Sequence, residues 1–393
     1  MSGAGAARAR SGHARATVKG GRAHGPGAAA LEIVPPKDYV LWRDACSYGY
    51  FVLEPNLWQP ATGVFRRVLD LGGDGGAVAA EITQPGGRRA GASRGKAGAV
   101  LRIALDRALS PDQAEELERQ VRRMLRLDEP ASRLREFHAV DARWKGLGRG
   151  RLMRSPSLFE DVIKTVTSCN VAWPSTVRMN ARLCAEYGRE SAGGGRAFPT
   201  AAALAGAEPA RLRARCGVGY RDARIVELAR LFDRGLVAEA SLSDPTLDDA
   251  ALERRLIDLP GIGPYAARNI MQLMGRYGRI PLDSETVRHA RTILGYTGTD
   301  RRVLRRLEEH FEPMGRDKFR SYWFEMWAFY EAKRGPSWTW ERDRDAAAFT
   351  AAAFRAAQDP AGARSARARA RGRASAGGPG ASSPRAARSS AGR

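Results

Sequence analysis

The chain has 393 residues, 65 Lys plus Arg against 43 Asp plus Glu, and 43% hydrophobic residues, enough apolar side chains for two or three packed domains and too many for a wholly disordered protein. Fifty-eight of the basic residues are arginine and the formal net charge is +22, which makes a polyanion the first partner to consider. No window of about 18 uninterrupted apolar residues occurs, which excludes a helical membrane span; Cys46, Cys169, Cys184 and Cys216 stand too far apart for a dense disulfide framework or a close zinc-binding pair.

Residues 1–30 carry five Arg or Lys and no acid, and residues 360–393 carry eight Arg and no acid, so thirteen of the 22 excess charges sit near the ends and nine remain for the middle. The first segment reads as a disordered basic arm. Its lack of acids also fits an organellar transit peptide, but an amphipathic face is missing. Residues 346–393 read as a disordered basic tail.

Residues 31–107 are predicted to form an antiparallel β-domain, with strands at Tyr50–Leu57, Val64–Leu71, Ala77–Thr83 and Ala99–Leu105 divided by Gly, Pro and Asn. The Gly86–Lys96 stretch is a low-complexity loop within it. From Ser110 the period changes to helical: Ser110, Pro111 and Gln113 supply an N-cap, a first-position proline and a capping-box partner. Residues 108–345 are predicted to be mostly helical. Ser157 opens a second helix whose face is Leu158, Phe159, Val162, Ile163 and Val166, ending near Cys169-Asn170. Lys164, on that helix, is expected to face solvent. A helix at Ser175–Tyr187, a loop at Gly188–Arg196, and helices around Leu204 and at Asp222–Phe232 follow.

Over residues 248–278 two helices flank Pro260-Gly261-Ile262-Gly263-Pro264. Two glycines one residue apart permit a tight turn and close backbone approach, and the second helix presents unpaired N–H groups and the positive end of its dipole, a seat for a backbone phosphate. Alone, this is also an ordinary αα-hairpin. Asp283 follows Gly261 by 22 residues, in Pro281-Leu-Asp-Ser-Glu. A carboxylate there can cap the next helix and, beside a bound phosphate, stabilise a cationic sugar. Both roles can coexist.

Leu259-Pro-Gly-Ile-Gly-Pro-Tyr-Ala-Ala267 followed by Pro281-Leu-Asp283 resembles the helix-hairpin-helix DNA glycosylases, nearest the 3-methyladenine and 8-oxoguanine branches, which carry an extra N-terminal β-domain. Weaker matches are Arg154–Asn170, Phe198-Pro-Thr with Gly219-Tyr220-Arg221, and the aromatic helix Phe319–Tyr330. The resemblance implies an α+β, mostly helical, two-lobed fold. It implies that Asp283 is the catalytic carboxylate and that the amides of Gly261, Ile262 and Gly263 grip a phosphate beside the lesion. A damaged base is flipped from duplex DNA and its glycosidic bond hydrolysed; alkylated purines lead as substrates, then 8-oxoguanine, with mismatched bases open. Asn170 falls where relatives fill the gap or touch the orphaned base, and Tyr265, Tyr322 and Trp323 are assigned to the base pocket or duplex wedge.

Departures from the pattern matter too. Lyase-competent members carry lysine where this chain has Tyr265, which implies a monofunctional enzyme. The iron–sulfur cysteine cluster of other branches is missing, and Glu285 stands where members often have His. No organic cofactor or metal is expected, because His138, His289 and His310 lack ligand spacing; the resemblance allows only a monovalent cation on the hairpin carbonyls. A monomer in the nucleus is expected, with plastid or mitochondrion as alternatives. The rival of another class is a non-catalytic duplex grip, which would need no carboxylate at 283.

Overall fold

A row of apolar side chains, Leu31–Ile103–Ile82–Phe65–Trp58, runs pair by pair across five antiparallel strands, every member buried. The strands are β1 Ala29–Ile33, β2 Leu57–Gln59, β3 Val64–Asp70, β4 Ala77–Thr83 and β5 Leu101–Leu105, in the order β1-β5-β4-β3-β2. Alternation sorts the faces: Leu101, Ile103 and Leu105 point in, Arg102 and Ala104 out. The computed structural model describes residues 29–86, 100–244 and 246–345. The expected basic tail, most of the expected arm and nearly all of the Gly86–Lys96 loop lie outside them.

Two expectations change. Tyr50–Leu57 is not a strand. Tyr50, Phe51, Val52 and Leu53 are all buried in a row, a pattern that a one-faced strand cannot give, and Gly49–Val52 is a 3₁₀ turn closed by Phe51 N→Tyr48 O and Leu53 N→Tyr50 O; only Leu57 enters β2. The fifth strand, β1, begins at Ala29, so residues 29 and 30 belong to the sheet and not to a basic arm. Residues 29–345 lie in one compact unit, and residue 107 marks a change of secondary structure.

Side-chain caps fix the helix starts, at Ser110 and Ser157 as expected and also at Thr200. Ser110 and Gln113 make the reciprocal capping box of Pro111–Met124, Ser157 Oγ accepts from Glu160 N at 3.2 Å to start Leu158–Ser168, and Thr200 Oγ1 accepts from Ala203 N to start Ala201–Ala205. The next long helix is Trp173–Tyr187, with Pro174 inside its first turn. Gly217, at φ +69°, closes Pro209–Cys216 in the left-handed conformation. Leu158, Val162, Ile163, Leu252, Leu256, Ile270 and Met271 meet in the main helical core, and the hairpin is thereby seated on the Leu158–Ser168 helix.

Lys164 does not face solvent. It is fully buried, its Nζ 2.7 Å from Glu160 Oε1, and Arg67 of β3 lies 2.6 Å from Glu160 Oε2. The Arg67–Glu160–Lys164 triad joins the sheet to the helices, and the 2.9 Å Tyr50–Thr165 hydroxyl contact ties the 3₁₀ turn to the same helix. No helix among the described residues is long and apolar enough to cross a membrane.

Candidate active site

The hairpin helices are Asp249–Ile257 and Pro264–Leu273. Between them Gly261 adopts φ +75°, and a Cβ there would approach Arg224 Cδ to 2.7 Å, so both the backbone and its neighbour require glycine. Gly261 and Gly263 are exposed, and among the described residues their amides have no recorded hydrogen-bond acceptor. The Ile262 amide is different: it donates to Leu259 O at 3.1 Å, and its side chain is buried in the core. Ile262 fixes the turn and the two glycines offer the free N–H groups. Among the described residues no group of three or more His, Cys, Asp or Glu side chains is placed to hold a metal ion.

Asp283 caps the Ser284–Thr292 helix. Its Oδ1 accepts from Thr286 N at 2.9 Å and lies 3.0 Å from Thr286 Oγ1, while Asp283 N donates to that hydroxyl at 3.2 Å. The Glu285 amide also faces the carboxylate, and among the described residues no side chain engages Oδ2. One oxygen is spent on structure and the other is left for chemistry. Burial raises the Asp283 pKa; the Thr286 amide and hydroxyl oppose that, and the Glu285 charge adds to it. The rise has a testable consequence. Glu285→Gln removes the like charge, so the acid limb of the kcat/KM profile, which reports Asp283 ionisation in the free protein, is expected to move to lower pH; an unmoved or upward-shifted limb in single-turnover assays from pH 4 to 8 would contradict the assignment.

Around the carboxylate stand aromatic side chains from distant parts of the chain. The half-buried Tyr265 opens the second hairpin helix, its hydroxyl proton held on by burial first, then by the Asp283 charge and by Tyr48. Tyr48 packs at 4.6 Å against Trp323 and 4.9 Å against Tyr50. Trp323 is pinned by Nε1→Ser47 O at 2.8 Å and stacks between Phe319 and Trp327. Tyr322 behaves otherwise: it is buried, packs edge-on against His289 and donates to Thr286 Oγ1 at 3.3 Å. Through Thr286 it braces the Asp283 cap. The Cys169 thiol, pushed up to about 11 chiefly by burial, also feels Asp283.

Asn170 follows Cys169, exposed and at φ +52°, the left-handed region in which Asn is tolerated. It is held out by buried Arg221, which donates to Val166 O at 3.1 Å and to Cys169 O. Next to it Tyr220 is 54% exposed, its ring 4.5 Å from the Arg221 guanidinium and 5.3 Å from that of Arg224. Asn170, Tyr220, Arg224 and Gly261 thus form an exposed stripe beside the carboxylate. Sequence reasoning quoted Tyr220 without a role and missed Arg224 and Tyr48. An exposed aromatic between two arginines is a local signal for Tyr220; Tyr48 has none, since it reaches Asp283 only through the fold. Glu285 is tied to Arg288 Nε at 2.7 Å and to the Tyr330 hydroxyl, which leaves that turn with a neutralised carboxylate where a phosphate contact would otherwise be sought.

No family model and no curated protein matches the sequence. Solved structures do resemble the fold. The 8-oxoguanine glycosylase/lyase of Clostridium acetobutylicum in its apo form aligns over 77% of this chain and 97% of its own, at 16% identity and a TM-score of 0.54; the same enzyme in complex with double-stranded DNA containing cytosine opposite 8-oxoguanine aligns over 78% and 97%, at 16% and 0.54. The 3-methyladenine DNA glycosylase of Archaeoglobus fulgidus aligns over 76% of this chain and 98% of its own, at 24% identity and 0.53. The two branches score alike, so the backbone does not choose between their substrates. This chain has the α+β, mostly helical fold of the helix-hairpin-helix DNA glycosylases.

Proposed function

We propose that the protein is a monofunctional DNA glycosylase of base excision repair that hydrolyses the N-glycosidic bond of a modified purine in duplex DNA. The observation that carries this reading is Asp283, with Oδ1 locked in a helix cap and Oδ2 claimed by no side chain among the described residues, set among aromatic rings beside a hairpin with exposed glycine amides. A duplex grip has no use for a half-buried carboxylate whose charge is opposed by its surroundings.

In the proposed mechanism the amides of Gly261 and Gly263 and the first turn of the Pro264–Leu273 helix hold a backbone phosphate. Asn170 and Tyr220 fill the space of the extruded nucleotide, and the base enters between Tyr265, Tyr48 and Trp323. As the bond stretches, the sugar gains oxocarbenium character; ionised Asp283 stabilises it and orients water toward C1′. The Leu259 carbonyl, which accepts one turn hydrogen bond, keeps a lone pair for a monovalent cation that would stiffen the hairpin, and no chemical step depends on it.

Strand cleavage by β-elimination needs an amine to form a Schiff base with the sugar. Tyr265 occupies the position expected of that lysine, no lysine occurs between Lys164 and Lys318, and Lys164 is locked against Glu160. Incubation with duplexes carrying single alkylated or oxidised purines should release base and leave abasic sites that break only after alkali, with no adduct trapped by borohydride. A robust trapped complex would refute the monofunctional assignment; binding without any base release would favour the duplex grip.

A further inference from the structure

Asp283 caps its helix through a reciprocal box whose third helical residue is Thr286. Such a box commonly carries Glu or Gln at that place, as Gln113 does after Ser110. A glutamate at 286 would set a second carboxylate against Asp283; threonine closes the box without a charge and is wholly buried. Its hydroxyl sits among four polar atoms: Asp283 N at 3.2 Å, Tyr322 Oη at 3.3 Å, Pro281 O at 3.0 Å and Asp283 Oδ1 at 3.0 Å. A hydroxyl has two lone pairs and one proton. The Asp283 amide and the Tyr322 phenol donate and fill the lone pairs, the phenol having only the Met326 sulfur at 3.6 Å as another acceptor among the described residues. Pro281 O and Asp283 Oδ1 accept, and they compete for the single proton. A hydrogen bond to an ionised acceptor is roughly twice as strong as a neutral one, so the ionised carboxylate takes the proton and the protonated acid releases it to the Pro281 carbonyl.

We infer that Thr286 is a positioning residue for the reaction: its hydroxyl, oriented by Tyr322, answers the charge on Asp283, holds Oδ1 in place once the carboxylate ionises, and leaves Oδ2 as the reacting oxygen. The inference rests on the glycosylase reading and says how that site keeps its carboxylate charged. The other groups that meet the Asp283 charge are Tyr265 from the second hairpin helix, Tyr48 from the segment before the 3₁₀ turn, Tyr322 from the aromatic helix and Cys169 from the end of the Leu158–Ser168 helix. All of them are held protonated chiefly by burial. Glu285, on the same helix, adds a like charge, and Arg288 pairs with it at 2.7 Å. Against burial and that charge stand the amides of Thr286 and Glu285 and the Thr286 hydroxyl. The hydroxyl can turn away when the charge is gone, which the amides cannot do.

The test measures single-turnover base release from pH 4 to 8 by full-length wild type, Thr286→Val and Thr286→Ser on duplexes carrying 7-methylguanine, hypoxanthine or 8-oxoguanine. Valine keeps the shape and loses the hydroxyl; serine keeps the hydroxyl. Loss of a donor to the charged form raises a carboxyl pKa, so the acid limb of kcat/KM is expected to move up by about one pH unit in Thr286→Val, opposite in direction to Glu285→Gln, and to stay in place in Thr286→Ser. On an Asp283→Asn background Thr286→Val should change the residual release by less than about twofold, because the hydroxyl acts through the carboxylate. Thr286→Val combined with Tyr322→Phe removes the hydroxyl together with the phenol that donates to it, so no phenol is orphaned in the interior, and it should show the same upward shift. An unmoved limb in both valine variants, a serine limb that moves as far as the valine one, an undiminished valine effect on the Asp283→Asn background, or failure of both valine variants to fold overturns the inference and leaves the glycosylase reading standing. Release of no base by wild type overturns both.

Discussion

Asp283→Asn is expected to slow single-turnover base release by about 10²–10⁴-fold, the scale of a lost acid–base or electrostatic group, while duplex binding persists. The same change should not destabilise the protein. Asn caps helices as well as Asp, so the bond from Thr286 N survives. The folded-state pKa of Asp283 is raised, with burial as its largest cause, so the folded chain holds this proton more tightly than the unfolded chain. Stability is therefore drawn down as pH rises through the unfolded pKa to the folded one, and at neutral pH the ionised carboxyl opposes folding. Removing the charge removes that cost, and the melting temperature of Asp283→Asn at pH 7 should equal or exceed that of wild type. Inactivity coupled to a lower melting temperature would mean that Asp283 is only a cap; near-normal base release would remove it from the chemistry. A stable but inactive variant is the signature of a site that gives up stability for function.

What the sequence made legible was local. The hairpin was readable because Gly261, Gly263 and two flanking apolar helix faces sit within thirty residues, and Asp283 because an N-cap is set by its own next three residues. Ser110 and Ser157 were visible as helix starts for the same reason. What was hidden depends on partners far along the chain. The sheet edge β1 pairs with β5 across 68 to 76 residues, and its Ala-rich start resembles the basic arm before it. Tyr50–Leu53 has strand-like composition, yet its side chains are buried in sequence by a turn. Tyr322 and Trp323 are adjacent, so on a helix they point about 100° apart; one braces the Asp283 cap and the other packs on Tyr48, a division that aromatic content alone cannot make. Tyr48 carries no motif, and only the fold brings it against Trp323.

The misread burial of Lys164 leads to the second large effect. Its helix has an apolar face that appeared to leave the amine outside, but Arg67, 93 residues before Glu160, arrives on β3 and turns the helix surface into an interior. Burial pushes the Glu160 carboxyl up, and the Arg67 and Lys164 charges overcome it and hold the group below its ordinary range. Burial pulls the Lys164 amine down, with Glu160 as the main opposing charge. Glu160→Gln leaves two cations facing each other in a closed interior, and breaking a buried pair from one side costs about 3–5 kcal/mol. The variant should unfold at correspondingly lower urea concentration. The combined replacement Arg67→Met, Glu160→Leu and Lys164→Met removes all three charges together and should recover most of the loss, because well-packed apolar side chains often match a buried ion cluster. With Glu160 held low, its contribution is present above the unfolded carboxyl pKa and is lost as pH falls through the folded one, so the gap between wild type and Glu160→Gln should narrow on acidification. A Glu160→Gln variant as stable as wild type at pH 7 would show that the triad is not what joins the sheet to the helices.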